Sequence, residues 1–387
     1  MTRRERKALW EMAYKEFLRR AGSAKFLYET HRDRQTAAHY TGEYRRQMGV
    51  FWRAPAERAG LRTRGADGES RQTTWISNPR KGIQVLTPLA ERVRLQSYRC
   101  GLLRLAQWDK PNGRGKRSVA VPSVYDRLIA AVLLEILEPL VDPGLSPFQH
   151  GYRATHLDGR VVELPGFPGV PRGSTKIVAY RLRRAVNGGH LFLSEWDIIN
   201  AFPSVDRAIL RQMLIEDGCP AKFARLILRC LGTQAIDPRR NGELVEVTGI
   251  PLGSPIGPLM FNFYVARVHH TARPGSVITS YADNFFVASR SKDGRSETVR
   301  DMEAILDTLN LKAKEKQRLS LGAGDRPHEF QVLRDWEIRW AGDRAELRER
   351  RRSRSPRGKD SPWGSGFPLH GDLGSGRPGE PEERHLL

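Results

Sequence analysis

Apolar positions along this chain follow two periods, and the switches between them mark out its elements. Between Glu5 and Arg20, Trp10, Ala13, Tyr14, Phe17 and Leu18 keep the i, i+3, i+4, i+7, i+8 spacing of an amphipathic helix that stops before Gly22. Its other face is basic, which suits either a nucleic-acid backbone or an ordinary solvated surface. From Ala54 to Gly82 the period is lost in Arg, Gly, Ser and Thr, the composition of a linker, and order resumes near Val85. Leu102 to Trp108 and Ser118 to Val121 read as two strands joined by a basic, glycine-bearing turn from Lys110 to Arg117. After Pro122, Leu128, Val132, Leu133, Ile136, Leu137 and Leu140 line one face of a core helix.

Leu191 to Ile198 returns to a period of two, which puts Leu191, Leu193, Glu195 and Asp197 on one face, so a row that starts in the core ends in a carboxylate. Asp206 is placed to cap the next helix, Pro220 and Gly232 bracket another, and Asn241-Gly242 is the strongest hairpin signal in the chain. An apolar helix from Leu259 to Val268 carries Asn262. Two short strands then flank Ala282-Asp283-Asn284, lifting a second acid out of buried sequence. Val299, Met302, Ile305, Leu306 and Leu309 form a further helix, and Trp336 and Trp340 lie in a last strand pair. After Arg348 the composition turns to Arg, Ser, Gly and Pro, the signature of disorder.

Charge adds a partner class to this outline. The 387 residues hold 65 Lys and Arg against 44 Asp and Glu, a net charge of +21. Such an excess gives salt-dependent affinity for nucleic acid without specifying a fold. Cys100, Cys219 and Cys230 are scattered, with no zinc spacing and no disulfide framework. No secretory signal follows Met1 and no apolar run reaches the length of a membrane span, so the expectation is a soluble cytoplasmic protein.

Alternating strands and helices with two acidic strand ends point to an α+β layer in which Asp197 and Asp283 meet at one end of an antiparallel sheet. Two carboxylates there repel unless a divalent cation lies between them. Mg²⁺ suits such a site, because it takes few protein ligands and completes its shell with water and phosphate oxygens. Two ions so held clamp an in-line phosphoryl displacement. The cationic turn bearing Lys110 and Arg117 suits a triphosphate, or else is a solvated loop.

Five blocks in order carry a resemblance. They are Lys110, Gly113, Arg117 to Pro122 and Asp126-Arg127; His150-Gly151-Tyr152-Arg153; Asp197 to Asp206; Gly249 to Pro258; and Tyr281-Ala282-Asp283-Asn284. Together they resemble the bacterial reverse transcriptases, closest to the group II intron and retron-like branch, over about Leu102 to Trp340. The resemblance implies a right-hand fold of fingers and palm, from which the chain departs in length: after Trp340 little remains to build a thumb, so the expectation is a short or missing one. Resemblance and composition together divide the chain into a basic N-terminal extension (1–95), a fingers-palm domain (96–345) and a disordered tail (346–387). The resemblance implies that Asp197 and Asp283 ligate metal near the Ile198 backbone, that Lys110 and Arg117 hold the triphosphate, and that Phe202 lies beneath the sugar and disfavours a 2′-hydroxyl. Gly253 would let the backbone approach the template base or nucleotide. Lys316, with Lys312 and Lys314 as alternatives, would protonate the leaving pyrophosphate, and Asn284 joins the catalytic set. Arg127, Arg153, Pro251 and Leu252 fall to nucleic-acid contact.

Three departures stand out: Asn284 where the family has a second Asp, Leu252 for a Gln, and Gly257 for a Ser. Asn284 keeps a ligand oxygen but loses a charge, which lowers metal affinity and shifts preference towards Mn²⁺. The implied activity is RNA-directed DNA polymerisation on an RNA template, with a DNA or RNA primer, dNTPs and a cognate structured RNA as partners. The alternatives are a weakened, maturase-like RNA-binding scaffold from a mobile element and an RNA-directed RNA polymerase, which Phe202 opposes.

Overall fold

The computed structural model describes residues 1–30, 78–109, 116–153, 156–157, 160–161, 173–321, 328–333 and 335–350. The expected linker from Ala54 falls outside them as far as residue 77, as does the tail beyond residue 350. In order, the elements are α1 (Arg3–Ala21), α2 (Pro79–Arg94), β1 (Leu103–Asp109), β2 (Lys116–Val121), α3 (Val124–Val141), β3 (His156–Leu157), β4 (Arg160–Val161), α4 (Thr175–Asn187) and β5 (Phe192–Ile198). They continue with α5 (Arg207–Glu216), α6 (Ala221–Arg229), β6 (Gln234–Asp237), β7 (Glu243–Glu246), α7 (Gly257–Val265), β8 (Ser276–Tyr281), β9 (Asn284–Ser289), α8 (Lys292–Thr308), β10 (Ala313–Ser320), β11 (His328–Val332), β12 (Trp336–Trp340) and β13 (Ala345–Glu349).

An antiparallel, palm-like sheet in the order β10-β5-β9-β8 separates two cores. The pleat sends Trp196, Ile198, Phe285 and Val287 into the larger one, with α1, α2, α3, α5, α6, α7 and α8. Leu193, Phe286 and Ala288 point the other way, against α4 and the three-stranded sheet β11-β12-β13. A second four-stranded sheet, β2-β1-β6-β7, pairs β1 with β6 in parallel. This is the α+β architecture expected, with Leu193, Glu195 and Asp197 in one row.

Local signals fix the helix starts. Thr2 and Glu5 close a capping box on α1, Ser123 caps α3, and Asp206 accepts the Ala208 and Ile209 amides at 2.8 and 3.1 Å. Those amides hold the Asp206 carboxyl below its ordinary range.

The N-terminal helix is not set apart in packing as an extension. Trp10 and Phe17 are fully buried, and the Tyr14 ring stacks on Phe223 of α6 at 4.9 Å. The Trp10 indole and the Arg6 guanidinium both donate to Asp217, at 2.8 and 2.7 Å. Helix α2 begins at Pro79, earlier than expected, and buries Leu86, Leu89 and Val93 in the same core. At the far end β13 runs to Glu349, past the boundary expected at residue 345.

Candidate active site

Cross-strand pairing of Tyr281 with Asn284 leaves Ala282 and Asp283 as a two-residue loop. Ala282 sits at φ +55°, a left-handed conformation costing a side-chain-bearing residue on the order of 1–2 kcal/mol. Packing holds it there. The Gly151 backbone lies against it so closely that a Cβ on residue 151 would come within 2.4 Å of the Ala282 nitrogen. The His150 amide donates to Ser280 O at 2.9 Å and the Ser280 amide to Phe148 O at 3.0 Å, so residues 148–150 line the outer edge of β8. Asn262, fully buried on α7, donates to Gly151 O at 2.8 Å. A tie from the apolar helix therefore reaches the loop that braces Asp283.

His269 shares a 2.9 Å hydrogen bond with the Ser280 hydroxyl of β8, and burial drives its pKa down to about 4. The unfolded chain binds this proton first as pH falls, so the folded state loses stability from about pH 6.5 downward. Acidification from pH 7 to 5 should cost about 2 kcal/mol more in the native protein than in His269→Gln, measured by urea denaturation at both pH values.

Asp197 and Asn284 face each other across β5 and β9, and the Ile198 amide donates to Asp283 O at 3.0 Å. The two predicted acids thus share one end of the sheet. Burial pushes the Asp283 carboxyl above its ordinary range, and the nearby Asp197 charge adds to the rise. An amide hydrogen bond, Lys316 and Arg117 oppose it.

Lys316 reaches the site through a bulge. On β10, Glu315 pairs with Trp196 and Gln317 with Glu195, leaving Lys316 as the extra residue. Its ammonium donates to Asn284 Oδ1 at 2.7 Å and lies 3.1 Å from Asp197 Oδ1 and 3.8 Å from Glu195 Oε1. Lys314, an alternative to Lys316, approaches Asp197 Oδ2 only to 3.8 Å. Asn284 turns its Nδ2 to Asp283 Oδ1 at 3.1 Å, so its amide links the lysine to the acid. The buried Glu195 had no assigned role in the sequence, although the period of two put it in the Asp197 row. Burial raises its carboxyl as well.

The other expected site residues divide into two groups. Arg117 is exposed on β2 and close enough for its charge to act on Asp283, while Lys110 lies outside the described residues. Gly253, at φ +112°, approaches β2: a Cβ would meet Ala120 O at 2.7 Å, and the Ala120 amide donates to Leu252 O at 2.7 Å. The Pro251-Leu252-Gly253 turn is thereby fastened to the strand that carries Arg117.

Phe202 is largely buried, stacked on Phe261 at 4.7 Å, with the Tyr152 ring edge-on at 5.9 Å. The ring that meets solvent here is Tyr152, which the sequence reading did not single out. Arg127 is half-buried on α3. Arg153 departs from expectation: its guanidinium is fully buried in a 2.5 Å ion pair with Asp142 and is out of reach of a nucleic acid.

The donor set fits a small hard cation: two carboxylates in mutual repulsion, an amide oxygen and the neighbouring backbone. Among the described residues no cluster of three or more His, Cys, Asp or Glu side chains forms a metal site, so water and phosphate oxygens would have to complete the shell. The family model described as reverse transcriptase (RNA-dependent DNA polymerase) matches residues 109–334. The chain belongs to this family. It is 23% identical over 156 residues to the group II intron-encoded protein LtrA of Lactococcus lactis, covering 40% of this chain and 23% of that protein. It is 21% identical over 186 residues to the putative COX1/OXI3 intron 1 protein of Saccharomyces cerevisiae, covering 48% of this chain and 20% of that one. The chain thus spans about a quarter or less of the length of these relatives. Among solved structures, apo telomerase of Candida tropicalis superposes with a TM-score of 0.43 at 10% identity, covering 71% of this chain and 66% of that one. The reverse transcriptase-containing chain of a partial Cas6-RT-Cas1-Cas2 complex gives 0.34 at 19% identity, covering 58% and 37%. No described helix is long and apolar enough to cross a membrane.

Proposed function

We propose that this chain is an RNA-directed DNA polymerase that extends a primer on an RNA template with dNTPs. The observation that carries the reading is the meeting of Asp197 and Asp283 at one sheet end, with the Lys316 ammonium and the Arg117 charge close to them. Asp197, Asp283, the Asn284 side-chain oxygen and the Ile198 backbone would hold Mg²⁺, with Mn²⁺ as the alternative. When bound, the metal supplies charge stabilisation to the phosphoryl oxygens. Arg117, with Lys110, neutralises the triphosphate from the β2 side. The primer 3′-hydroxyl gives its proton to water and forms a bond to the α-phosphorus as the bond from that phosphorus to the α–β bridging oxygen breaks, and pyrophosphate leaves. Lys316 Nζ holds the proton that the leaving oxygen needs. Arg127, Pro251, Leu252 and Gly253 border the template side. Phe202 backs the sugar pocket through the Tyr152 ring, and Phe202→Ala should relax selection of dNTPs over NTPs by about tenfold, read from competing incorporation.

A second reading, an RNA-binding scaffold with a silenced site, is favoured by the amide at Asn284, which removes one negative charge from the cation site. Thermal stabilisation separates the two readings. The polymerase reading expects a dNTP with Mg²⁺ or Mn²⁺ to raise Tm, and Asp197→Ala to remove the shift. No shift in the native protein favours the scaffold. Asn284→Asp should tighten Mg²⁺ binding by roughly tenfold or more, equivalent to about 1.4 kcal/mol, as measured by calorimetric titration.

A further inference from the structure

Glu195 is a buried acid beside a cationic side chain that two other groups also claim. Its Oε1 lies 3.8 Å from the Lys316 ammonium, and its Oε2 accepts from Gln317 Nε2 at 2.6 Å. Gln317 also donates to the backbone oxygen of Gln331 on β11, so this carboxylate is anchored to the three-stranded sheet as well as to β5. The Lys316 ammonium itself lies against Asp197 Oδ1 and Asn284 Oδ1, at 3.1 and 2.7 Å, two of the oxygens that would hold a cation. A divalent ion arriving there must displace it. A positive charge pushed off Asp197 and Asn284 moves to the nearest remaining anion, and among the described residues that anion is Glu195.

We propose that Glu195 is a positioning residue for the polymerase reaction: it receives the Lys316 ammonium when metal takes Asp197 and Asn284, and so keeps that side chain at the site. This rests on the polymerase reading above. The β10 bulge makes the exchange short, because it aims Lys316 between the two ends of one acidic row. The fixed hydrogen bond from Gln317 keeps Glu195 in place for the exchange. Without Glu195, Asp197 is the only carboxylate within 4.0 Å of the lysine among the described residues, so the ammonium stays on Asp197 and Asn284 and competes with the metal.

The test is a double-mutant cycle on Mn²⁺ affinity, read from free Mn²⁺ by electron paramagnetic resonance on the full chain without nucleic acid. The four proteins are native, Glu195→Gln, Lys316→Met and the double variant, with circular dichroism as a check on folding. Glu195→Gln should weaken Mn²⁺ binding by about tenfold when Lys316 is present, and by no more than about threefold, the effect of a lost neighbouring charge, in the Lys316→Met background. Equal losses in the two backgrounds, or no loss in either, overturn the proposal and leave the polymerase reading standing. If the native protein binds no Mn²⁺, the proposal is overturned, and primer extension in Mn²⁺ decides the polymerase reading separately.

Discussion

Replacing Asp197 with alanine should reduce RNA-templated primer extension a thousandfold or more while leaving the fold and RNA affinity intact. The loss corresponds to about 4 kcal/mol or more of transition-state stabilisation, as expected when one of two carboxylates that clamp a phosphoryl transfer is removed. The fold survives because Asp197 is a strand-end residue whose neighbours are charged or polar: Lys316 at 3.1 Å, Lys314 at 3.8 Å and Asn284 across the ladder. The variant also relieves a repulsion, since the Asp197 charge helps to raise the Asp283 carboxyl. Removing an acid from a basic surface does not weaken its hold on phosphate. Single-nucleotide incorporation and filter binding, run on the same preparation, check both halves. A parallel fall in RNA binding would mean that Asp197 serves the architecture of the site instead of its chemistry.

Arg153→Leu should cost about 3–5 kcal/mol of stability, the usual penalty for removing one member of a buried ion pair. The guanidinium pairs with Asp142 at 2.5 Å and donates to Asp142 O, Ser146 O and Gln149 O at 2.8, 2.9 and 2.8 Å. Both side chains are fully buried, so the Asp142 carboxylate cannot turn to water when its partner is lost. The damage should reach the candidate active site, because Gln149 and His150, on the loop that Arg153 ties together, also line β8 at Ser280. Guanidinium unfolding measures the loss. Arg153→Lys should recover only part of it, since an ammonium keeps the charge but cannot make the forked contacts. A variant as stable as the native protein, but with weakened RNA binding, would instead restore Arg153 to the surface role expected of it.

What the sequence made legible was local. The period of two from Leu191 to Asp197 and the short turn at Ala282-Asp283 are set by neighbouring residues, and both acids lie where those patterns put them. The α1 stripe was likewise plain, but its partner Phe223 lies some two hundred residues away, so integration into the core could not be read from it. Lys316 matched its block, yet the bulge that turns it towards Asp197 and Asn284 is a mismatch of register between β10 and β5 and leaves no trace in either strand alone. Arg153 misled for a related reason. Arginine in a polar motif reads as exposed, and only the three-dimensional path of 142–153 shows that Asp142 waits for it in the interior. Phe202 was open between core and sugar pocket, and the Phe261 stack with the Tyr152 edge puts it in the core behind another ring.

The most direct test is extension of a DNA primer on an RNA template by the native chain with dNTPs, in Mg²⁺ and separately in Mn²⁺, alongside Asp197→Ala and Asn284→Asp. The polymerase account predicts extension by the native chain, none by Asp197→Ala, and faster extension by Asn284→Asp in Mg²⁺. Extension that appears only in Asn284→Asp, with the native chain silent in both metals, would contradict it and leave an RNA-binding scaffold in its place.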